Sequence, residues 1–157
     1  MKKIIFILSI ILVSFRAFAP GPKPDPRADL ENYLSGAPLT RGNLQLAFEL
    51  NHIAAPAVVM AQSRLETGNY QSRLCLEVNN LFGMNFPRIR PTTSTGSTEF
   101  GFAIYRSWYD CVKDMKLFQE WYLSRGRDLT NYFEFLAAIG YAEDPEYIQK
   151  LTLLCTT

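Results

Sequence analysis

Few side chains in this sequence are equipped for acid–base or covalent chemistry, and the carboxylates are where such chemistry would reside. Ser63, in Ala61-Gln62-Ser63, lacks the glycines of a nucleophile elbow, and the single His52 leaves no Ser-His-Asp triad. No glycine-rich phosphate loop is present. His52 closes an apolar helical stretch, a place for packing or capping, and without a Cys-x-x-Cys motif no metal site is expected. What remains is carboxylates among aromatics and asparagines, the side-chain set that sugar hydrolysis uses. Glu66 stands out at the C-terminal end of an apolar helix, just before Thr67-Gly68. There the negative end of the helix dipole and the loss of water both favour the protonated carboxyl. A carboxylic acid kept protonated near neutral pH is a proton donor for a glycosidic oxygen. By residue type and position alone, a solvated surface glutamate is the commoner occupant of such a place.

Helical periodicity supplies most of the elements that would position Glu66. Thr40 is placed to cap a helix over residues 41–52, with Leu44, Phe48 and Ile53 near one stripe. Pro56 suits a first turn, Val58, Ala61 and Leu65 mark a buried face, and Gly68 ends that helix. Residues 69–91 read as irregular, with Asn79, Asn80 and Gly83 as turn formers. The polar, β-branched stretch around Gly96, followed by alternating Phe100, Phe102 and Ile104, predicts a short β-hairpin. Ser107 and Asp110 have capping-box-like spacing and open a helix to about residue 124. Two further helices are expected, one over residues 128–138 stopped by Gly140, and one opened by Asp144 and Pro145. The predicted fold class is mainly α with a small β-hairpin.

The chain has 157 residues, 48% apolar and 13% aromatic, with 16 basic and 15 acidic side chains. This balance argues against disorder and against a strongly charged nucleic-acid clamp, so no nucleic acid is expected as partner. Lys2 and Lys3, an apolar run over residues 4–13 and Ala17-Phe18-Ala19 have the order of an export signal over residues 1–19. The run is short for a permanent span, and Pro20 is a poor residue for the signal peptidase to accept. Membrane association is therefore expected only if the signal is retained, with the periplasm or exterior as the destination. Lys2, Lys3 and Arg16 are the only charges of that segment, so the rest carries 13 basic against 15 acidic groups. Residues 20–28, with four prolines, read as a semi-rigid linker to a single domain over residues 29–157. Export permits disulfides, and the odd number of cysteines allows one bridge at most within the chain. Cys75 with Cys111 is the preferred pair, and three buried thiols are the alternative.

Four separated blocks, in order, resemble one family. They are residues 53–68, ending Arg64-Leu65-Glu66-Thr67-Gly68; Asn79-Asn80-Leu81-Phe82-Gly83-Met84; Ala103-Ile104-Tyr105-Arg106-Ser107-Trp108; and Gly140-Tyr141-Ala142-Glu143-Asp144-Pro145-Glu146-Tyr147. Together they resemble the glucosaminidases of glycoside hydrolase family 73, over residues 40–154. The resemblance implies a lysozyme-like α+β fold that cuts the glycan strand of peptidoglycan after N-acetylglucosamine. It assigns Glu66 as general acid, Glu99 as a base or stabilising carboxylate on the hairpin, and Tyr141 as the aromatic bordering the cleft. Asn80 and Phe82 would form the cleft floor, with Tyr70 and Tyr105 as further substrate-contacting aromatics.

Many relatives carry Trp-Gly where this chain has Asn69-Tyr70, which alters the surface beside the acid. If Glu99 activates water, the two carboxyl groups should stand roughly 6.5 to 9.5 Å apart and the reaction inverts. Otherwise the substrate's N-acetyl oxygen attacks and the configuration is retained. Neither route requires a metal or organic cofactor. The rival readings are a lytic transglycosylase, which leaves an anhydro sugar, and a peptidoglycan-binding module without turnover. An envelope-spanning secretion or conjugation complex is a candidate partner.

Overall fold

The computed structural model describes residues 25–156. The signal read over residues 1–19 lies outside these residues, as does most of the expected linker. Where the linker does overlap them, it is corrected: α1 (Pro26–Gly36) begins inside it. Asp25 caps this helix by accepting the Arg27 amide at 3.0 Å. Pro26 sits in the first turn, where its missing N–H leaves no bond unmade.

The chain continues through α2 (Arg41–Leu50), α3 (Pro56–Thr67), α4 (Arg73–Val78), β1 (Gly96–Ser97), β2 (Ala103–Ile104), α5 (Trp108–Leu123), α6 (Tyr132–Ala138) and α7 (Tyr147–Cys155). This is the mainly α architecture with one small hairpin that the sequence predicts. Thr40 and Ser107 cap as expected, accepting the Asn43 and Asp110 amides at 3.1 Å each. Within the stretch read as irregular, α4 is a correction. Its six residues are too few to declare a period, and Ser72 starts it by accepting the Cys75 amide at 3.2 Å.

The hairpin forms one step later than the alternation suggests. Gly96 lies in β1, paired antiparallel with Ile104, and the reversal runs through residues 98–101, where Gly101 has φ of +88°. Phe100 is therefore at the tip, 78% exposed, instead of in a strand. Residues 84–86 join the hairpin edge through the Asn85–Phe102 bridge and a Phe86 N to Gly101 O bond of 2.8 Å. The last two helices also start later than expected. Asp128 and Asp144 each hold a turn, accepting the Thr130 and Glu146 amides, so that Asn131 opens α6 and Tyr147 is the first residue of α7.

The core gathers around α5, whose Tyr109, Cys111, Val112 and Met115 are wholly buried. Its buried polar groups hold the surrounding segments. Gln119 accepts the Ala54 amide at 2.8 Å and donates to the Ala54 carbonyl and the Tyr132 hydroxyl. Asp114 binds Arg90 through two parallel hydrogen bonds of 3.0 and 2.8 Å and accepts the Tyr105 hydroxyl at 2.8 Å. Arg90 also lies 5.7 Å from the Phe118 ring centre. Burial alone would push the Asp114 carboxyl up, but Arg90 with the Thr92 and Tyr105 hydroxyls outweighs it and holds the group below the usual range.

The expected Cys75–Cys111 bridge is absent: all three cysteines are free. The Cys111 sulfur is instead turned to accept the Leu81 amide at 3.3 Å, and burial pushes its thiol well up, which keeps it protonated and unreactive. Cys155 is exposed, so the alternative of three buried thiols is corrected at that position as well.

Replacing Asp114 with Ala strands the Arg90 charge in a buried site and leaves the Tyr105 hydroxyl unpaired. Urea unfolding at neutral pH is expected to show a loss of about 3–5 kcal/mol. Because the carboxyl is held low, the native protein should also lose stability as pH falls from the ordinary carboxylate value through that lowered one.

Candidate active site

Glu66 occupies the last turn of α3, which ends in three consecutive left-handed residues, Gly68, Asn69 and Tyr70, with φ of +55°, +56° and +66°. Such a run is strained for side-chain-bearing residues, and specific bonds hold it. Thr67 Oγ1 donates to the Ser63 carbonyl at 2.6 Å and accepts the Tyr70 amide at 2.8 Å. The Tyr70 hydroxyl returns to α3, 3.0 Å from Ser63 Oγ. The chain thus turns sharply away after Glu66 and leaves its carboxyl at the helix end.

The opposite wall is the turn over residues 79–84. Asn80 is fully buried and uses its whole amide there. Its nitrogen donates to the Met84 and Ala103 carbonyls at 2.8 and 3.0 Å, and its oxygen accepts the Met84 amide at 3.0 Å and the Phe82 amide at 3.4 Å. This knot brings Gly83, φ +63°, against the acid. A Cβ built on Gly83 would stand 2.9 Å from Glu66 Oε2, so only glycine leaves the carboxyl its place.

The third wall is α7, packed along α3. Asp144 holds the turn that makes Tyr147 the first helical residue, and the Tyr147 hydroxyl donates to Glu66 Oε1 at 2.8 Å. Tyr141 stacks on Tyr147, with ring centres 6.0 Å apart and planes 27° from parallel, and donates to the Phe82 carbonyl at 2.6 Å. Gly83, Met84, Arg90, Phe118, Tyr122 and Tyr141 border a cleft of about 250 Å³ beside the acid. Burial pushes the Glu66 carboxyl above its ordinary value, against the opposing Tyr147 bond, which favours the charged form. A partly buried carboxyl pushed toward its protonated form, against a glycine that borders a cleft, is equipped for general acid catalysis.

The sequence profile of the glucosaminidase family, described as mannosyl-glycoprotein endo-beta-N-acetylglucosaminidase, matches residues 43–157, well over half of the chain. The chain belongs to that family. The exo-glucosaminidase LytG of Bacillus subtilis (strain 168) is 29% identical over 133 residues, which cover 72% of this chain and 47% of LytG. The chain thus spans about half the length of that curated relative. Among solved structures, the catalytic domain of the autolysin Auto from Listeria monocytogenes aligns at 19% identity with a TM-score of 0.47, covering 88% of this chain and 87% of that one.

Within this glucosaminidase domain the structure sorts the expected site residues. Tyr141 lines the cleft, and Glu66 is linked to it through Tyr147, which bonds the carboxyl and stacks on the Tyr141 ring. Phe82 and Tyr105 are 0% and 2% exposed, so neither has a face for substrate. Phe82 contributes its carbonyl to Tyr141, and Tyr105 serves Asp114. Asn80 is likewise committed to the turn beneath Gly83, and Tyr70 to the turn after the acid. Glu99 is exposed on the hairpin tip and lines a separate groove of about 480 Å³ with Arg73, Leu74, Glu77, Val78, Phe100 and Phe102. No hydrogen bond or ion pair among the described residues joins it to Glu66. Tyr147 is the site residue that sequence reasoning passed over. Its signal was its place at the end of the Asp144-Pro145-Glu146-Tyr147 block, where it reads as an ordinary helix residue.

A carboxyl whose pKa rises on folding costs no stability while both states are protonated, begins to cost it as pH climbs past the ordinary unfolded value, and costs it in full above the folded one. Glu66→Gln removes that titration. Thermal unfolding is expected to find the variant more stable than the native protein at about pH 8, with the gap closing as pH falls toward the ordinary carboxylate value.

Proposed function

We propose that this domain hydrolyses the glycan strand of peptidoglycan after N-acetylglucosamine, as an endo-β-N-acetylglucosaminidase with Glu66 as its general acid. The observation that carries this reading is the Glu66 carboxyl itself. It is desolvated at a helix C-terminus, bound through Oε1 by Tyr147, and has Oε2 against Gly83, which borders an aromatic-lined cleft. Membership of the glucosaminidase family supports the substrate class. In the reaction Glu66 transfers its proton to the glycosidic oxygen as the bond to the anomeric carbon breaks, and positive charge grows on the sugar ring.

The position of Glu99 supports a substrate-assisted second half. With that carboxylate exposed and lining a different groove, the acetamido oxygen of the N-acetylglucosamine is the nearer nucleophile for the anomeric carbon. Water then opens the resulting ring with net retention, deprotonated by Glu66 as the reaction reverses its role. Tyr141, its hydroxyl committed to the Phe82 carbonyl, offers its ring as a wall for the sugar.

The basic, apolar and small-residue order of residues 1–19 supports export to the cell envelope, where this substrate lies. An envelope-spanning secretion or conjugation complex is a fitting setting, since its assembly needs a local opening in the wall.

Mass spectrometry of fragments released from purified peptidoglycan tests the reading. Native protein should release fragments ending in reducing N-acetylglucosamine, and Glu66→Gln should lower the rate by about 10²- to 10⁴-fold. Glu99→Gln should retain most of the activity and the same anomeric outcome. Anhydro-muramyl ends would move the assignment to a lytic transglycosylase, and release that is indifferent to Glu66 would remove it as the acid.

A further inference from the structure

The two oxygens of Glu66 are treated differently. Oε1 accepts the Tyr147 hydroxyl at 2.8 Å, while Oε2 stands against the bare Cα of Gly83, which borders the cleft. A protonated carboxyl is a good acceptor at its carbonyl oxygen and a poor one at its hydroxyl oxygen. A phenol donating to Oε1 therefore selects the form with the carbonyl at Oε1 and the acid proton on Oε2. The proton is thereby placed on the oxygen beside Gly83, the residue that borders the cleft.

Tyr147 has one proton, given to Glu66, and an oxygen free to accept. Gln62 lies one helical turn before Glu66 on the same face of α3, and its amide adjoins the Tyr147 hydroxyl. The Gln62 side chain is 0% exposed, and neither of its amide atoms makes a well-formed hydrogen bond among the described residues. Burying an amide in that state is costly, and packing alone would favour Leu or Met there. Its location accounts for it. The Gln62 amide can donate to the Tyr147 oxygen, and a hydroxyl that accepts becomes a stronger donor.

We propose that Gln62 and Tyr147 are positioning residues for Glu66: a buried donor relay, running from the Gln62 amide through the Tyr147 hydroxyl to Oε1, that assigns the acid's proton to Oε2. The proposal rests on the reading of Glu66 as general acid. In the ground state the relay orients the proton. As the proton passes from Oε2 to the glycosidic oxygen, negative charge appears on the carboxylate, and the same bond strengthens to meet it. The relay thus contributes more in the transition state than before it, and it acts on turnover more than on binding.

The test compares native protein with Tyr147→Phe, Gln62→Leu and Glu66→Gln, measuring kcat and KM for peptidoglycan release across pH, with circular dichroism to confirm folding. Tyr147→Phe is expected to lower kcat by about 10- to 100-fold, as for loss of a hydrogen bond to a charged group, with KM nearly unchanged. Since the lost bond favours the carboxylate, the alkaline limb of the kcat profile should move to higher pH. Gln62→Leu, which removes the amide at similar volume, should move it in the same direction by less. It keeps the test available if Tyr147→Phe does not fold. Folded variants whose alkaline limb matches the native one would overturn the relay, whatever their rate. Native turnover in Glu66→Gln would instead overturn the assignment of the acid. A silent Glu66→Gln beside an unmoved limb in Tyr147→Phe would overturn the relay alone.

Discussion

A carboxyl group taken out of water without full compensation is the constraint on which the cleft depends. To act as the proposed acid, Glu66 must lose enough solvent to favour its protonated form, yet keep one donor that fixes its orientation and meets the charge when the proton leaves. Three segments far apart in the chain meet this condition together: the end of α3, the Asn80-centred turn, and the start of α7. Each has a local device for arriving there. Gly68 reverses the chain after the acid, Asn80 spends its whole amide on the turn that delivers Gly83, and Asp144 sets the residue at which α7 begins.

A second carboxyl shows the same physics with the opposite outcome. Asp114 is more deeply buried than Glu66, yet it stays ionised because a two-pronged guanidinium and neighbouring hydroxyls overcompensate for lost water. It serves structure, tying the loop before the hairpin to α5 and holding Arg90 at the rim of the cleft. Among the described residues Glu66 has one phenol and no cation bonded to it, and burial holds it toward the protonated form. Number and charge of partners, more than depth, separate a structural carboxylate from a candidate acid.

Caps and chain reversals were legible because they are local. Thr40 and Ser107 accept amides three residues on, and Gly68 adopts the left-handed geometry that ends a helix. The errors came where local rules admit two outcomes. A proline that bars a helix interior also suits a first turn, so the first three residues of α1 were read as linker. Asp144 caps a turn as readily as a helix, which shifted the start of α7 by two residues and hid the role of Tyr147. The family resemblance implied substrate contact for Phe82 and Tyr105, but burial is a property of the assembled core and removed both from the surface.

The sequence by itself determined the helical class, the ends of α3 and α5, the family and Glu66 as the candidate acid, because each rests on residue order along the chain. The tertiary structure alone decided which oxygen of Glu66 is bound by Tyr147, that Gly83 faces the other, and that the Cys111 thiol turns to a backbone amide instead of to Cys75. It also decided that Glu99 lines its own groove. These are relations between segments up to 81 positions apart. The packing of these segments on one another sets them, and no spacing along the chain encodes the direction in which a side chain points once two segments have packed.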